Sequence, residues 1–177
     1  MILYFLSANA QDDYYSETEC DICMQQKMTT LNFFQHTIFG GKNPNTVLIA
    51  QANTTRTDGV VEFGNLFALN SALRVGISPT SRMIGRAKGL QVGASQEYES
   101  PTFFVCSDYG FDKGKFNESS FVICSTNSFS EPTRELAVIG GRKKFRMATG
   151  FAKIRTAYFS STQRYAITKH DVTLFHC

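Results

Sequence analysis

The first residues whose types and spacing could do chemistry are two cysteines near the start of the chain. Cys20 and Cys23 have the Cys-x-x-Cys spacing of a redox dithiol or of half a zinc site. No second such pair and no pair of histidines at ligand spacing follows. The sequence therefore predicts no metal site. We expect Cys20 or Cys23 to form a disulfide with Cys177, which would tie the two ends of the chain together.

Three further patterns could indicate a binding or catalytic site. The run Gly40-Gly41-Lys42-Asn43 is similar to a phosphate-binding loop, but it lacks the Gly-Lys-Ser/Thr ending and a following helix, so it predicts a turn. The basic run 142–146 could bind a polyanion, although a solvated turn is the commoner structure for such a run. No Gly-x-Ser-x-Gly motif occurs, and His36, His170 and His176 form no recognisable catalytic triad. We expect the three histidines to be structural or exposed.

Composition limits the classes of protein that this chain can belong to. Its 177 residues are enough for one domain. Hydrophobic residues make up 42% of the chain and charged residues 19%, which is typical of a packed globular protein. Sixteen Phe and seven Tyr must fill a core or an apolar pocket. A formal net charge of +3 is too small for a dedicated nucleic-acid-binding protein. No apolar run reaches the roughly 20 residues that a membrane-spanning helix needs.

The elements that must position these residues are predicted to be strands. Short runs rich in Phe, Val, Ile, Tyr and Thr alternate with Gly, Asn, Asp, Ser and Pro clusters, which indicates an antiparallel all-β domain. In the first run Phe33 and Gln35 share one face with Thr37, and both faces carry apolar residues, which suggests an oligomer interface. Turns are predicted at 40–44, 57–59, 112–114 and 140–141. The predicted strands are 30–39, 46–51, 60–69, 83–93, 102–111, 119–126, 134–139, 145–158 and 164–175.

The remaining features concern location. A short apolar start followed by Ala8-Asn9-Ala10 is similar to the end of a secretory signal, so residues 1–10 are interpreted as its remnant, 11–28 as a flexible arm and 29–177 as the domain. Asn53 and Asn117 begin glycosylation sequons. Cys106 and Cys124 lie in strand-like runs and are either buried small hydrophobes or a second bridge.

Five ordered motifs carry a resemblance to a known family. The chain resembles the plant dirigent proteins over residues 29–177, nearly the whole predicted mature chain. The motifs are LNFFQHTIFGGKNP (31–44), GISPTSRMIGRAKGL (76–90), DYGFDKGKFNESS (108–120), RELAVIGG (134–141) and FRMATGFA (145–152).

The resemblance implies an eight-stranded antiparallel β-barrel of the allene-oxide-cyclase type, secreted to the apoplast, often glycosylated, and assembled as a dimer or trimer. It implies that the barrel holds phenoxy radicals of monolignols such as coniferyl alcohol, made by a separate laccase or peroxidase, and directs their coupling in lignan biosynthesis. No cofactor, nucleic acid or membrane is implied. Alternatives are a cofactor-free cyclase or dehydratase acting on a phenolic quinone methide, or a non-catalytic defence protein that binds a phenolic or a glycan.

The departures from the family pattern lie at polar positions. The family Asp that follows Phe-x-Phe-His is Thr37, the Tyr after the Gly-Arg-Ala-x-Gly-Leu run is Gln91, and the Arg of Ala-Arg-Gly-Tyr is Thr149. The Asp-Asp-Pro-Leu-Thr run is replaced by residues 70–74. Side chains that could supply replacement hydrogen bonds are Asp108, Tyr109, His36, Gln91 and Arg146.

From these residues we predict a pocket with neutral polar donors. The candidate catalytic residues are Asp108, Thr37 and Thr149. The predicted pocket residues are Phe33, Gln35, Thr37, Gln91, Asp108, Arg146 and Thr149. If no carboxylate faces the interior, proton-transfer chemistry loses its usual acid, whereas orientation of a radical remains possible.

Overall fold

The computed structural model describes residues 26–53, 62–97 and 99–177. Nine strands and two short 3₁₀ turns make up the secondary structure of this part of the chain. The strands are β1 (Lys27–Ile38), β2 (Thr46–Ala50), β3 (Leu66–Arg74), β4 (Met83–Gly93), β5 (Thr102–Phe111), β6 (Ser120–Ser128), β7 (Arg134–Arg142), β8 (Thr149–Ser160) and β9 (Tyr165–His176). The 3₁₀ turns are Gly114–Phe116 and Lys143–Phe145.

The strands form one antiparallel sheet that closes on itself. Its order is β1-β9-β8-β7-β6-β5-β4-β3-β2, and β1 also pairs with β3, for example Gln35 with Leu73. Eight strands therefore complete the barrel, while β2 adds to the free half of β3. The predicted all-β class and the eight-stranded antiparallel barrel are both confirmed.

Alternation along each strand gives the barrel a lumen and an outer wall. Side chains that point inward near one end are almost entirely aromatic or aliphatic and are fully buried. Closely packed rings fill this half of the lumen, including Phe111, Phe121 and Phe145, whose ring centroids are 6.2 to 6.3 Å apart. This cluster is the core of the protein. Its largest buried apolar members are Phe33, Leu73, Phe121, Ile123, Leu136, Phe145, Val172 and Leu174.

The two ends of the barrel differ. The β3–β4, β5–β6 and β7–β8 connections lie at the end that the aromatic core fills, which we call the closed end. The β4–β5, β6–β7 and β8–β9 connections lie at the opposite end, which we call the open end. There the inward side chains of β1, β4 and β9 are polar and only half-buried, as Gln35, Gln91 and Thr168 show. The lumen therefore meets solvent at the open end.

Most predicted strands match the structure, and four differences have simple causes. The predicted strand 60–69 is shifted: β3 begins at Leu66, after a turn at 63–64, and runs on to Arg74, because the polar residue Ser71 points into the lumen rather than ending the strand. Gly140 and Gly141, predicted as a turn, lie inside β7 next to a bulge in its pairing with β6. The long predicted strand 145–158 begins only at 149, since a 3₁₀ turn precedes it. β1 begins at Lys27, so 27 and 28 belong to the barrel and not to an arm.

One disulfide joins two neighbouring strands of the described chain. Cys106 on β5 and Cys124 on β6 are direct cross-strand partners with Cα atoms 4.1 Å apart, and their sulfurs are bonded. Of the two possibilities left open by the sequence, the second bridge is the one observed. Cys20 and Cys23 lie outside the described residues, as do the predicted signal remnant and the turn 57–59, so the predicted pairing with Cys177 stays a prediction.

Candidate functional site

The candidate site is the polar half of the lumen at the open end. On β1, Phe33 is buried in the core, and Gln35 and Thr37 follow it on the same face toward the open end. On β5, Tyr109 takes the inward face because its neighbours along the strand point outward. Closure of β1 onto β3 brings Ser71 to the same region.

Four of these side chains form a hydrogen-bonded chain across the lumen. The Tyr109 hydroxyl donates to Gln35 Oε1 at 3.1 Å, and Gln35 Nε2 lies 3.4 Å from Thr37 Oγ1. Thr37 Oγ1 lies 3.2 Å from Ser71 Oγ, where either hydroxyl can donate. This chain fixes the orientation of the Gln35 amide, because the carboxamide oxygen is held by the phenol.

Arg134 and His170 face the same lumen from β7 and β9. Arg134 on β7 pairs with Ile154 on β8, which pairs with His170 on β9, which in turn pairs with Phe33 on β1. The four residues therefore form one row around the wall. Arg134 is 2% exposed, and its Nη2 donates to Thr156 Oγ1 at 3.0 Å.

Several buried polar atoms of the described residues have no hydrogen-bond partner, and four of them belong to inward-facing side chains. A buried polar atom without a partner costs about 1–3 kcal/mol, so several of them facing one lumen indicate a place for a ligand's polar groups. The strands β5, β6, β7 and β9 contribute one atom each. These atoms are Ser107 Oγ, Asn127 Oδ1, Arg134 Nε and His170 Nδ1.

Burial fixes the charge states of the ionisable groups in the lumen. Desolvation and, to a smaller extent, the positive charge of Arg134 lower the pKa of His170 to about 3, so this imidazole is neutral at neutral pH. Desolvation likewise raises the pKa of Tyr109 well above its usual value, so the phenol keeps its proton. Desolvation also lowers the pKa of Arg134, which the nearby Glu131 partly opposes.

Aromatic rings form the floor of this polar region. The Phe33 ring stacks on the imidazole of His170 with centroids 5.1 Å apart and planes 14° apart. Tyr109 stacks on Phe121 with centroids 5.2 Å apart and planes 7° apart. A planar aromatic guest could pack against such faces while its oxygens meet the polar atoms above.

No carboxylate points into the lumen from the described strands. The aspartates of β5 and β9 lie on the outer wall, where Asp108 pairs with Arg142 at 2.7 Å and Asp171 pairs with Arg155 at 2.6 Å. Nor do the described residues bring together three side chains that could hold a metal ion. The groups available for chemistry in the described lumen are therefore a cation, a phenol, a neutral imidazole and neutral amides and hydroxyls.

The structure separates the predicted site residues into two groups. Phe33, Gln35 and Thr37 lie together on the lumen face of β1, and Gln91 faces the same lumen as the cross-strand partner of the inward Val105. Of the proposed replacements, Tyr109 lies in the lumen as well.

The other predicted residues lie elsewhere, and strand alternation is the reason. Asp108 follows the inward Ser107, so it points outward to Arg142. Thr149 precedes the inward-facing Gly150 and is exposed on the outer wall. Arg146 is exposed after the second 3₁₀ turn at the closed end.

Two further predicted positions can be placed. His36 lies buried on the outward face of β1, where its ring contacts the Tyr165 hydroxyl and the Gly76 carbonyl. Burial lowers the pKa of His36. Asn53 and Asn117 are both exposed in loops, which leaves their glycosylation a prediction.

Sequence reasoning missed four residues of the lumen. Ser107, Asn127 and His170 follow the inward parity of their strands, and Arg134 opens β7 with Leu136 and Val138 on its own face. The signal was available as polar residues at alternate positions within apolar runs. It could not be used because nothing in the sequence tells which of two mixed faces points inward.

Comparison with known proteins gives a consistent result. Residues 28–175 match the family described as dirigent-like protein. The chain is 36% identical to dirigent protein 15 of Arabidopsis thaliana over 93% of this chain and 88% of that one. It is 35% identical to pterocarpan synthase 1 of Glycine max, covering 86% and 81% of the two chains. A solved pterocarpan synthase dirigent protein superposes with a TM-score of 0.81 at 31% identity, covering 92% and 89%. Within the described residues no helix is long and apolar enough to cross a bilayer.

Proposed function

The chain belongs to the dirigent-like protein family, and from this premise we propose that its lumen holds phenoxy radicals of a monolignol-type phenol and directs the stereochemistry of their coupling. The observation that carries the proposal is the set of four unpartnered buried polar atoms above an aromatic floor. This arrangement offers a planar ring a face to stack on and offers its oxygen substituents fixed partners.

The coupling step needs orientation and no further reagent. A separate laccase or peroxidase removes one electron and one proton from each phenol, and two radicals then share their unpaired electrons in one new bond. Holding the two rings in one relative orientation favours one face of attack over the other. A hundredfold preference between mirror-image products requires only about 2.7 kcal/mol between the two transition states.

Individual roles follow from the geometry of the lumen. The free N–H of Arg134 Nε can donate to a phenoxyl or phenol oxygen, and its charge strengthens that hydrogen bond. His170 presents its free ring nitrogen, Nδ1, while Nε2 is engaged with Thr168 Oγ1 at 2.9 Å. Ser107 and Asn127 offer a hydroxyl and an amide oxygen on the neighbouring strands. These polar partners fix one end of the guest, while the rings of Phe33 and Tyr109 support its plane.

A second candidate function is ring closure through a phenolic quinone methide. The likeness to pterocarpan synthases favours it, since those proteins are named for forming a pterocarpan. In such a closure a phenol oxygen of the substrate adds to the methide carbon, and its proton ends on the quinone oxygen, so the step is an isomerisation. Tyr109 would donate a hydrogen bond to the quinone oxygen as it gains charge, because burial keeps this phenol protonated.

The first prediction tests these functions directly. The purified protein is added to a laccase and coniferyl alcohol, and the enantiomeric excess of the lignans is measured by chiral chromatography. We expect an excess that rises with protein concentration. A racemic mixture identical to that of the protein-free control would contradict radical steering. A quinone-methide-forming isoflavanol is assayed in parallel without oxidase, and faster, enantioselective closure would support the second candidate instead.

Two variants connect the activity to the lumen. Arg134→Gln removes the buried cation. Because a hydrogen bond to a charged group contributes about 1.5–3 kcal/mol, we expect the ratio of the two lignan enantiomers to fall about tenfold or more. Asp108→Asn is the control, since Asp108 lies on the outer wall and an exposed ion pair contributes little. Equal losses of selectivity in the two variants would argue against a role of the lumen.

We further propose that the protein is secreted to the apoplast as a glycosylated oligomer. The Cys106–Cys124 disulfide supports an oxidising compartment, and both sequon asparagines are exposed. An extracellular location would also give the barrel access to the oxidase that supplies its radicals.

A further inference from the structure

The closed end of the barrel carries two turns of the same backbone conformation. Segments 113–118 and 142–147 each begin with an extended residue and continue through a residue in the left-handed region into a 3₁₀ turn. The left-handed residue is Gly114 (φ 70°) in the first segment and Lys143 (φ 56°) in the second. Each segment also ends on a left-handed residue, Glu118 (φ 62°) and Met147 (φ 60°).

The two turns are docked on each other and on the core. Phe116 of the first turn and Phe145 of the second have ring centroids 4.8 Å apart, and Phe145 is fully buried. Lys144 Nζ donates to the backbone carbonyl of Lys115 at 2.7 Å. The turns therefore form one ordered surface, and we call their basic side chains the cationic face. The cationic face consists of Lys113, Lys115, Arg142, Lys143, Lys144 and Arg146, all of them exposed.

Most of the charge on this face is not neutralised. Three carboxylates lie on or beside the two turns, Asp108, Asp112 and Glu118, and only Asp108 forms a salt bridge, with Arg142. Six cations against three carboxylates leave a charge of +3, equal to the formal net charge of the whole chain. This end of the barrel therefore carries an excess of positive charge.

Lys143 places one of these cations at a left-handed position of the second turn. Its position in the turn is the one that the first turn fills with glycine, the residue that tolerates a positive φ best. A lysine there is conformationally unfavourable, its side chain is exposed, and the backbone of the turn would form equally well with glycine. The second turn thus presents a cation at the position where the first turn has glycine, which adds to the positive excess of the face.

We propose that the cationic face binds the carboxylates of an acidic polysaccharide of the polyuronate class. Lysines predominate on it, and their compact, flexible charges suit a row of carboxylates rather than one fixed bidentate group. The Cys106–Cys124 disulfide indicates a compartment outside the cytosol, where polyuronates rather than nucleic acids are the available polyanions. Because the face lies at the closed end, a bound polymer leaves the open end of the lumen free.

The test is binding to de-esterified polygalacturonate, measured by affinity electrophoresis and cosedimentation. Each protein is tested both with Asn117 intact and with Asn117→Gln, because Asn117 lies in the first turn and a glycan there would cover the face. Binding by the Asn117→Gln proteins alone would overturn the proposal for the glycosylated protein. Lys113→Gln with Lys144→Gln should weaken binding about tenfold, since two contributing cations are lost. The matched control, Lys42→Gln with Lys153→Gln, removes the same charge from exposed lysines elsewhere and should change binding less than twofold.

Other outcomes separate the alternatives. We expect binding to weaken as salt rises and to vanish with fully methyl-esterified polymer, which lacks the carboxylates. Equal losses in the two double variants would mean non-specific attraction and would overturn the proposal. Stronger binding to phosphatidylserine vesicles or to duplex DNA would overturn the choice of a polysaccharide. The enantiomeric excess in the lignan assay measures the function of the lumen, and polygalacturonate binding measures that of the cationic face. Either proposal can therefore fail in its own assay while the other is supported.

Discussion

At the scale of single residues, His170 determines the charge of the lumen. Its ring is 1% exposed, stacks on Phe33 and lies on the row that contains Arg134. A protonated imidazole there would be desolvated and would face a second positive charge, which is why the pKa of His170 is lowered to about 3. Among the described residues the lumen consequently carries one cation, Arg134, and no carboxylate there competes with a phenol oxygen for it.

The second prediction concerns stability in acid and follows from this lowered pKa. In the unfolded chain His170 takes up a proton near pH 6.5, whereas in the folded protein it does so only near pH 3. The unfolded state thus binds more protons in this interval, so stability falls as the pH falls. Between pH 7 and pH 5 we expect wild type to lose about 2 kcal/mol more free energy of unfolding than His170→Gln. Urea unfolding at several pH values measures the difference, and parallel profiles for the two proteins would contradict it.

Residue identity could be predicted from the sequence better than residue orientation. Phe33, Gln35 and Thr37 were placed on one face because β1 alternates clearly. The outward position of Asp108 could not be predicted, because β5 carries aromatic residues on both faces, Phe103 inward and Phe104 outward. Only closure of the barrel decides which face is inside.

At the scale of elements, glycines let neighbouring strands approach where no side chain fits. Gly150 on β8 has a φ of 146°, and a Cβ there would strike the backbone carbonyl of Thr173 on β9. Gly140 on β7 lies in open space, with no heavy atom near the position of an added Cβ. Although both glycines lie in strands, only Gly150 is needed for a close approach of two backbones.

The third prediction compares these two glycines. Gly150→Ala combines an unfavourable backbone conformation with a collision against backbone, and we expect it to lower the free energy of unfolding by about 3 kcal/mol or more. Gly140→Ala should change it by no more than about 0.5 kcal/mol, since nothing is displaced. Thermal unfolding monitored by circular dichroism distinguishes them, and an equal effect of the two substitutions would show that the close approach at Gly150 is not needed.

Element boundaries could be predicted where the chemistry of the turn agreed with the pattern of the strand. The predicted limits of β4 and β5 match the structure, because polar turn residues flank both. The sequence predicts the third strand at 60–69, whereas β3 spans Leu66–Arg74 and includes Asn70 and Ser71. Asn70 lies on the outer wall and Ser71 faces the lumen, because a barrel with a polar half places polar side chains inside a strand.

At the scale of the whole molecule, the barrel separates two sets of groups along its axis. The open half of the lumen holds the unpartnered polar atoms, the closed half is filled by aromatic rings, and the cationic face lies beyond those rings. The family and the barrel could be predicted from ordered motifs, but this axial division could not. It depends on which face of each strand lies inside, and that is fixed only when β1 pairs with β3 and closes the barrel.

The fourth prediction is that the lumen and the cationic face act independently. The filled half of the barrel is a rigid core that stands between them, and substitutions that share no partner have additive effects. We therefore make a triple variant that combines Arg134→Gln with Lys113→Gln and Lys144→Gln. Its enantiomeric excess should equal that of Arg134→Gln alone. Its affinity for polygalacturonate should equal that of the double lysine variant within about twofold. Chiral chromatography is run with and without saturating polymer on each protein. A change in enantiomeric excess on adding polymer to wild type, absent from the double lysine variant, would contradict independence and would mean that the two ends are coupled through the core.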